Sequence, residues 1–240
     1  MIRIVLVEPR EAGNVGAAAR VMKNFGVTEL WIVGRHPELQ PLSSWWASGA
    51  DDVVAKARFV DTLQEAIADV HAVIATSSSR GRTMPVDLTP VDVAAFAAAM
   101  TSEQTLALVF GREDHGLTRE ELLLCGRTAI IPTNPEFPVM NLAQSIGVFC
   151  YELSTIKPAA SGRALPPAAL IEKLHERAEK LLREIEFLHP TKNLRIYEDL
   201  RTIAARAELD EREAMILMGI ISQIEWKLRM KDEGGMRDEG

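Results

Sequence analysis

The sequence predicts an α/β domain built on a parallel sheet, followed by a smaller all-helical unit. Three observations predict it. Short apolar, β-branched runs such as Ile2–Val7 and Leu106–Phe110 alternate with helical stretches, the pattern of a parallel sheet covered on both faces. Charge is sparse early and dense late: 31 charged residues over 1–157 against 30 over the much shorter 158–240. Between them lies KPAASGRALPPAA (157–169), whose prolines, glycine and small residues have linker composition. The expected division is a sheet domain over 1–157, a linker over 158–168, a helical extension over 169–230 and a disordered tail over 231–240.

The elements follow in order. Ile2–Val7 is a strand, and residues 14–25 form a helix closed by Gly26. Strands are expected at Leu30–Val33 and Arg58–Val60, and Asp61, with Gln64 three residues on, is expected to cap a helix reaching Ala68. Ala72–Thr76 is a further strand. Thr89 with Pro90 starts a helix, since proline at the first helical position loses no needed hydrogen bond. Strands at Leu106–Phe110 and Thr128–Ile131 flank a capping box, Thr118-Arg119-Glu120-Glu121. A last helix of this domain runs from Asn141 to about Ile156. In the second part, Leu170, Leu174, Ala178, Leu181 and Ile185 recur with helical period. A shorter helix spans 194–205, and Asp210 caps another whose apolar side carries Leu217, Ile221, Ile224 and Leu228.

Composition excludes several classes. The net charge of −7 argues against a blanket coat for nucleic acid, although it leaves room for a local basic site. The longest apolar run is Val93–Met100, far short of a membrane span, and the opening run is cut off at Glu8, too early for a signal peptide. Cys125 and Cys150 make no disulfide framework and read as buried small hydrophobes. No HExxH pair or other metal spacing occurs. A cytoplasmic protein without membrane or metal is the expectation.

Four loops at strand ends carry chemistry. EPREAGNVGAAARVMKNFG follows the first strand, where α/β proteins bind phosphate. It fails the dinucleotide fingerprint, because Glu11 stands where the first glycine belongs and no acid ends the second strand. Asn14 remains at the helix start, with Arg20 among alanines and Lys23 beyond; Lys23 reads first as a solvated cation. ATSSSRGRTMP places Thr76, Ser77 and Ser78 at a strand's carboxyl end, with Arg80 and Arg82 beside them. LALVFGREDHGL delivers Gly111, Arg112 and Glu113 to the same rim. IIPTNPEFPVMNLAQS stiffens its excursion with Pro132, Pro135 and Pro138 before Asn141 opens a helix.

Together these loops are recognisable. Asn14, Gly16 and Arg20, the run Phe110–Leu117, and Ile131-Pro132 through Met140-Asn141-Leu142-Ala143 resemble the SPOUT class of S-adenosylmethionine-dependent RNA methyltransferases, in its TrmH-like branch. The second part resembles the TrmJ subgroup more loosely, through Phe187-Leu188-His189-Pro190, Leu200-Arg201 to Arg206, and Leu217-Met218-Gly219-Ile220 to Ile224-Glu225.

The resemblance implies a parallel α/β sheet with a deep C-terminal trefoil knot and a homodimer formed through the knot. It implies S-adenosyl-L-methionine held largely by backbone groups of Thr76, Ser77, Ser78, Gly111, Ile131, Pro138, Val139 and Met140. Relatives often carry serine where this chain has Val139, so a hydroxyl role is lost there. The implied reaction is methyl transfer to a ribose 2′-hydroxyl of tRNA, the pyrimidine at position 32 of the anticodon loop. Arg20 would meet the reacting hydroxyl, held by Asn14, Glu113 and Asn141, while Arg80, Arg82, Arg112 and Lys23 would contact RNA. A guanidinium does not serve as a base near neutral pH, so orienting phosphate and stabilising charge is the expected role of Arg20. The rival readings are another tRNA or rRNA nucleotide, an inactive RNA-binding relative, and a different α/β ligand-binding enzyme.

Overall fold

Side chains on a strand alternate between faces, and here that alternation sorts the whole core. A computed structural model describes residues 1–39, 42–78, 88–156, 162, 164–189 and 194–235. Six strands, β1 (Ile2–Val7), β2 (Glu29–Val33), β3 (Arg58–Val60), β4 (Ala72–Ser77), β5 (Leu106–Phe110) and β6 (Arg127–Ile130), form one sheet in the order β3-β2-β1-β5-β4-β6. Every pairing is parallel, with Ile4 facing Leu30 on one side and Leu108 on the other.

Ile4, Leu6, Ile32, Ile74, Leu108 and Phe110 point to one face. There they pack on α1 (Ala12–Asn24), α3 (Asp51–Ala55), α5 (Pro90–Ala99) and α7 (Leu142–Thr155) through Met22, Val53, Val93 and Phe149. Val5, Val7, Val33, Val73 and Val109 point the other way, onto α4 (Leu63–Ile67) and α6 (Arg119–Cys125). A short helix, α2 (Leu42–Ala47), lies beside α1.

Local signals set the helix starts. Thr89 and Thr118 close capping boxes with Asp92 and Glu121, and Pro90 sits in the first turn of α5. The start of α4 differs by one residue from the expected Asp61: Thr62 accepts from Glu65 N at 3.3 Å, and the Glu65 carboxylate reaches back to the backbone of Asp61 and Thr62. That reciprocal pair satisfies orphan donors that Asp61 with Gln64 would leave open. Gly126, at φ +73°, ends α6 in the left-handed conformation that glycine adopts without strain. The helices α2 and α3 were not expected from the sequence.

The chain divides into two units, Met1–Ala168 and Ala169–Gly240. In the first, Leu165 and Ala168 stay bonded to the sheet domain, Leu165 O accepting from Gln104 Nε2 at 2.8 Å and Ala168 N donating to Val70 O at 2.7 Å. The second contains all but the first residue of α8 (Ala168–Glu184), with α9 (Leu194–Ala207) and α10 (Glu211–Gly235). Its small core is Leu174, Leu181, Met218 and Ile221. Arg201 pairs with Glu172, and Tyr197 Oη donates to His175 O at 2.8 Å. Over 231–235, within the expected tail, α10 continues; residues 236–240 lie outside the described residues.

Candidate active site

A parallel sheet brings the carboxyl ends of its strands to one edge, and ligands of such folds bind there. At that edge opens a cleft of about 310 Å³. Thr76, Ser77 and Ser78 enter it from the end of β4, Gly111 from the end of β5, Ile131 from beyond β6, and Pro138, Val139 and Met140 from the proline-rich segment. All eight residues expected at the cofactor therefore line one cavity. Phe110 and Phe149 meet edge to face at 5.9 Å and, with Leu117 and Leu142, make its apolar wall. Thr133 Oγ1 donates to Pro138 O at 3.1 Å, bracing the proline-rich segment.

Gly111 shapes the mouth. A Cβ placed there would lie 2.2 Å from Gly116 C and 2.4 Å from Leu117 N, so the 111–117 loop closes on itself only with glycine at its start. Arg112 N and Gly116 N each donate to the other residue's carbonyl across this turn.

Beside the cleft, three distant residues are strung together. Asn14 Nδ2 donates to Glu113 Oε1 at 2.9 Å, and Asn141 Nδ2 donates to Asn14 Oδ1 at 3.0 Å. Asn141 Oδ1 in turn caps α7, accepting from Ala143 N and Gln144 N. The Glu113 carboxylate also receives Arg10 N at 3.0 Å and Glu11 N at 3.4 Å. The expectation that these three hold Arg20 directly is not met: none of them bonds to it. Arg20 is exposed on α1 and has no hydrogen-bond or ion-pair partner among the described residues.

Arg112 and Lys23, expected at RNA, are engaged within the protein. The Arg112 guanidinium donates to Glu8 Oε2 at 2.7 Å, to both Glu121 oxygens at 3.0 and 3.1 Å, and to Gly116 O at 3.3 Å. The two carboxylates hold Arg112 further above its ordinary pKa, and Arg112 holds Glu8 below the usual carboxylate range. These bonds occupy four of the five guanidinium donors, leaving one for a phosphate. Lys23 Nζ donates to Asp52 at 2.6 Å and to Gly49 O at 2.9 Å. Arg80 and Arg82 lie outside the described residues.

Three site features escaped the sequence reading. Glu8 and Glu121 anchor Arg112; Glu121 was legible only as a cap, and Glu8, at φ +45°, only as the end of an apolar run. The third is Trp46 on α2, whose indole lies 3.1 Å from where a Cβ of Gly13 would be, next to Asn14. Among the described residues no group of His, Cys, Asp and Glu is placed to hold a metal, and no helix is long and apolar enough to cross a membrane.

Residues 1–151 match the SpoU rRNA Methylase family, and residues 169–234 match the tRNA methyltransferase TrmJ C-terminal domain. The chain is 37% identical over 237 residues to the tRNA (cytidine/uridine-2'-O-)-methyltransferase TrmJ of Klebsiella pneumoniae subsp. pneumoniae, covering 93% of this chain and 96% of that protein. The crystal structure of TrmJ from Z. mobilis ZM4 superposes with a TM-score of 0.81 at 32% identity, covering 94% of this chain and 99% of that one. A probable methylase family protein from Haemophilus influenzae Rd KW20 gives 0.62 at 33% identity, covering 96% and 98%.

Proposed function

This chain belongs to the SpoU rRNA Methylase family, and from that premise we propose that it transfers a methyl group from S-adenosyl-L-methionine to a ribose 2′-hydroxyl of tRNA. The proposed target is the pyrimidine at position 32 of the anticodon loop. One observation carries the reading: the Glu113–Asn14–Asn141 chain ties the start of α1 to the rim of the cleft, while Arg20 on the same helix is left without a protein partner among the described residues.

The cleft suits the cofactor. Its volume is in the range of small-molecule sites, roughly 300–1,000 Å³, and its lining pairs an aromatic wall with the hydroxyls of Ser77, Ser78 and Ser145. Backbone groups of residues 76–78, 111, 131 and 138–140 would hold the cofactor, and the missing side chain at Gly111 keeps the mouth closed around it. When bound, S-adenosylmethionine supplies an electrophilic methyl group on a sulfonium.

The protein's own part is orientation and charge. The 2′-hydroxyl is a poor nucleophile and loses its proton during transfer. Arg20 orients the neighbouring phosphate and stabilises the negative charge growing on the oxygen, and its guanidinium stays protonated while doing so. Asn14, Glu113 and Asn141 set the position of α1, and so of Arg20, relative to the cleft. Arg112 acts by holding the loop, and the proposed contacts of Arg80 and Arg82 with RNA phosphate supplement Arg20. The proposal includes a trefoil knot at this end of the sheet, a homodimer through it and a cytoplasmic setting, all carried by the family resemblance.

Mapping 2′-O-methylated positions in tRNA incubated with enzyme and cofactor tests the reading. Methylation at pyrimidine 32 is expected, and Arg20→Ala should lower the rate about 100-fold or more, the cost of losing one preorganised donor, with cofactor affinity unchanged by calorimetry. Full transfer by Arg20→Ala would remove the assigned role.

A further inference from the structure

Two adjacent tryptophans on α2 are left bare. Trp45 is 72% exposed and Trp46 60%, whereas Trp31 is 6% exposed under Arg3 and Arg58. Neither Trp45 nor Trp46 has a hydrogen bond from its indole N–H among the described residues. Two large aromatics side by side and open to water make an apolar surface that a partner can cover, and an indole offers that partner a flat face together with a polar N–H.

Their position says which partner. The α2 helix follows β2 and so lies toward the sheet edge that carries the cleft. Trp46 rests on Gly13, with Cδ1 and Nε1 each 3.1 Å from the position of a Cβ there. Gly13 precedes Asn14, and Arg20 is two helical turns further on. At 3.6 residues per turn Gly13 and Arg20 share one face of α1, about 10 Å apart along its axis. Ala17 lies between them, so only small side chains separate the indole from the free guanidinium.

We propose that Trp46 is a stacking platform for an unpaired tRNA base next to the reacting ribose. An acidic chain, at −7, gains little affinity from general attraction to phosphate, and stacking supplies it without positive charge. Anticodon-loop bases are unpaired and can be splayed onto an aromatic face. Trp45, about 100° further round the helix, does not share this contact with Gly13. The proposal rests on the chain being a tRNA methyltransferase.

The test measures tRNA binding by filter retention without cofactor, and initial rates with saturating cofactor, for wild type, Trp46→Ala, Trp46→Leu and Trp46→Phe. The Ala and Leu variants should raise both Kd and KM for tRNA about tenfold and leave kcat within about twofold; Phe should stay within about threefold of wild type. Calorimetry with S-adenosylmethionine should give wild-type affinity, which excludes misfolding, and sedimentation should give an unchanged mass. Unaltered tRNA binding by Trp46→Ala overturns the platform, as does a Leu variant equal to Phe, which means packing without stacking. A loss of mass means that Trp46 joins two copies of the chain, and likewise overturns it. Wild type that binds tRNA but never methylates it sinks the enzymatic reading alone, and the binding data still decide the platform.

Discussion

Glu113 gathers donors that the sequence keeps about a hundred residues away: Arg10 N, Glu11 N and Asn14 Nδ2. A hydrogen bond to a charged group is worth roughly 1.5–3 kcal/mol. Glu113→Gln replaces an acceptor with an amide that must turn one N–H toward those donors. Methyl-transfer assays should therefore show kcat/KM reduced about 10- to 100-fold with unchanged circular dichroism; full activity would mean that α1 needs no anchoring. Asn14, Glu113 and Asn141 were each legible as polar residues at strand-end loops, but their bonding to one another was not, because it depends on which strands become neighbours. Arg112 shows the same limit: its place at the rim was readable, while Glu8 and Glu121, which occupy it, arrive from separate elements. Cys150 needed no fold to read. Burial pushes its thiol up to about 12, in keeping with an inert small hydrophobe.

Among the elements, helices with strong start signals were the readable ones. Thr89 and Thr118 announce α5 and α6, whereas α2 and α3 have too few residues to display a period and are held by packing on α1, on each other and, for α3, on β2. The 111–117 loop is the element on which the cleft depends. Gly111→Ala would drive a methyl group into the Gly116 carbonyl carbon, and the loop must shift to admit it. The expected outcome is a loss of stability of about 1–3 kcal/mol in chemical denaturation, together with a marked loss of S-adenosylmethionine affinity by calorimetry. Wild-type affinity in this variant would separate the loop's closure from cofactor binding.

At the scale of the whole molecule, the change in charge density and the proline-bearing segment pointed to two units, and Ala168 is where the first one ends. Which side chains remain buried in the helical unit could not be read, because His175 and Arg201 look like surface residues in their periods. Burial, with the Arg201 guanidinium nearby, pushes the His175 imidazole down to about 4 from its ordinary 6.5. Between those values the unfolded chain binds more protons than the folded one. The neutral histidine therefore costs nothing above about pH 6.5, and stability falls as pH drops toward 4, by at most roughly 1.4 kcal/mol per pH unit. Denaturation of the full chain at several pH values, followed by helical circular dichroism, should show this slope, and His175→Gln should flatten it; identical slopes would exclude His175 as the cause.

The strand order carries a consequence for how the chain is made. Synthesis delivers β1, β2 and β3 first, and in the finished sheet these are neighbours, so their partners are already available to one another. Next comes β4, which pairs only with β5 and β6, neither of which yet exists. Until Leu106–Phe110 emerges from the ribosome, β1 offers a bare backbone edge to any passing strand while β4 waits without a place. Asn141 emerges later still, so the bond that ties it to Asn14 beside the cleft cannot form until more than half of the chain has been translated.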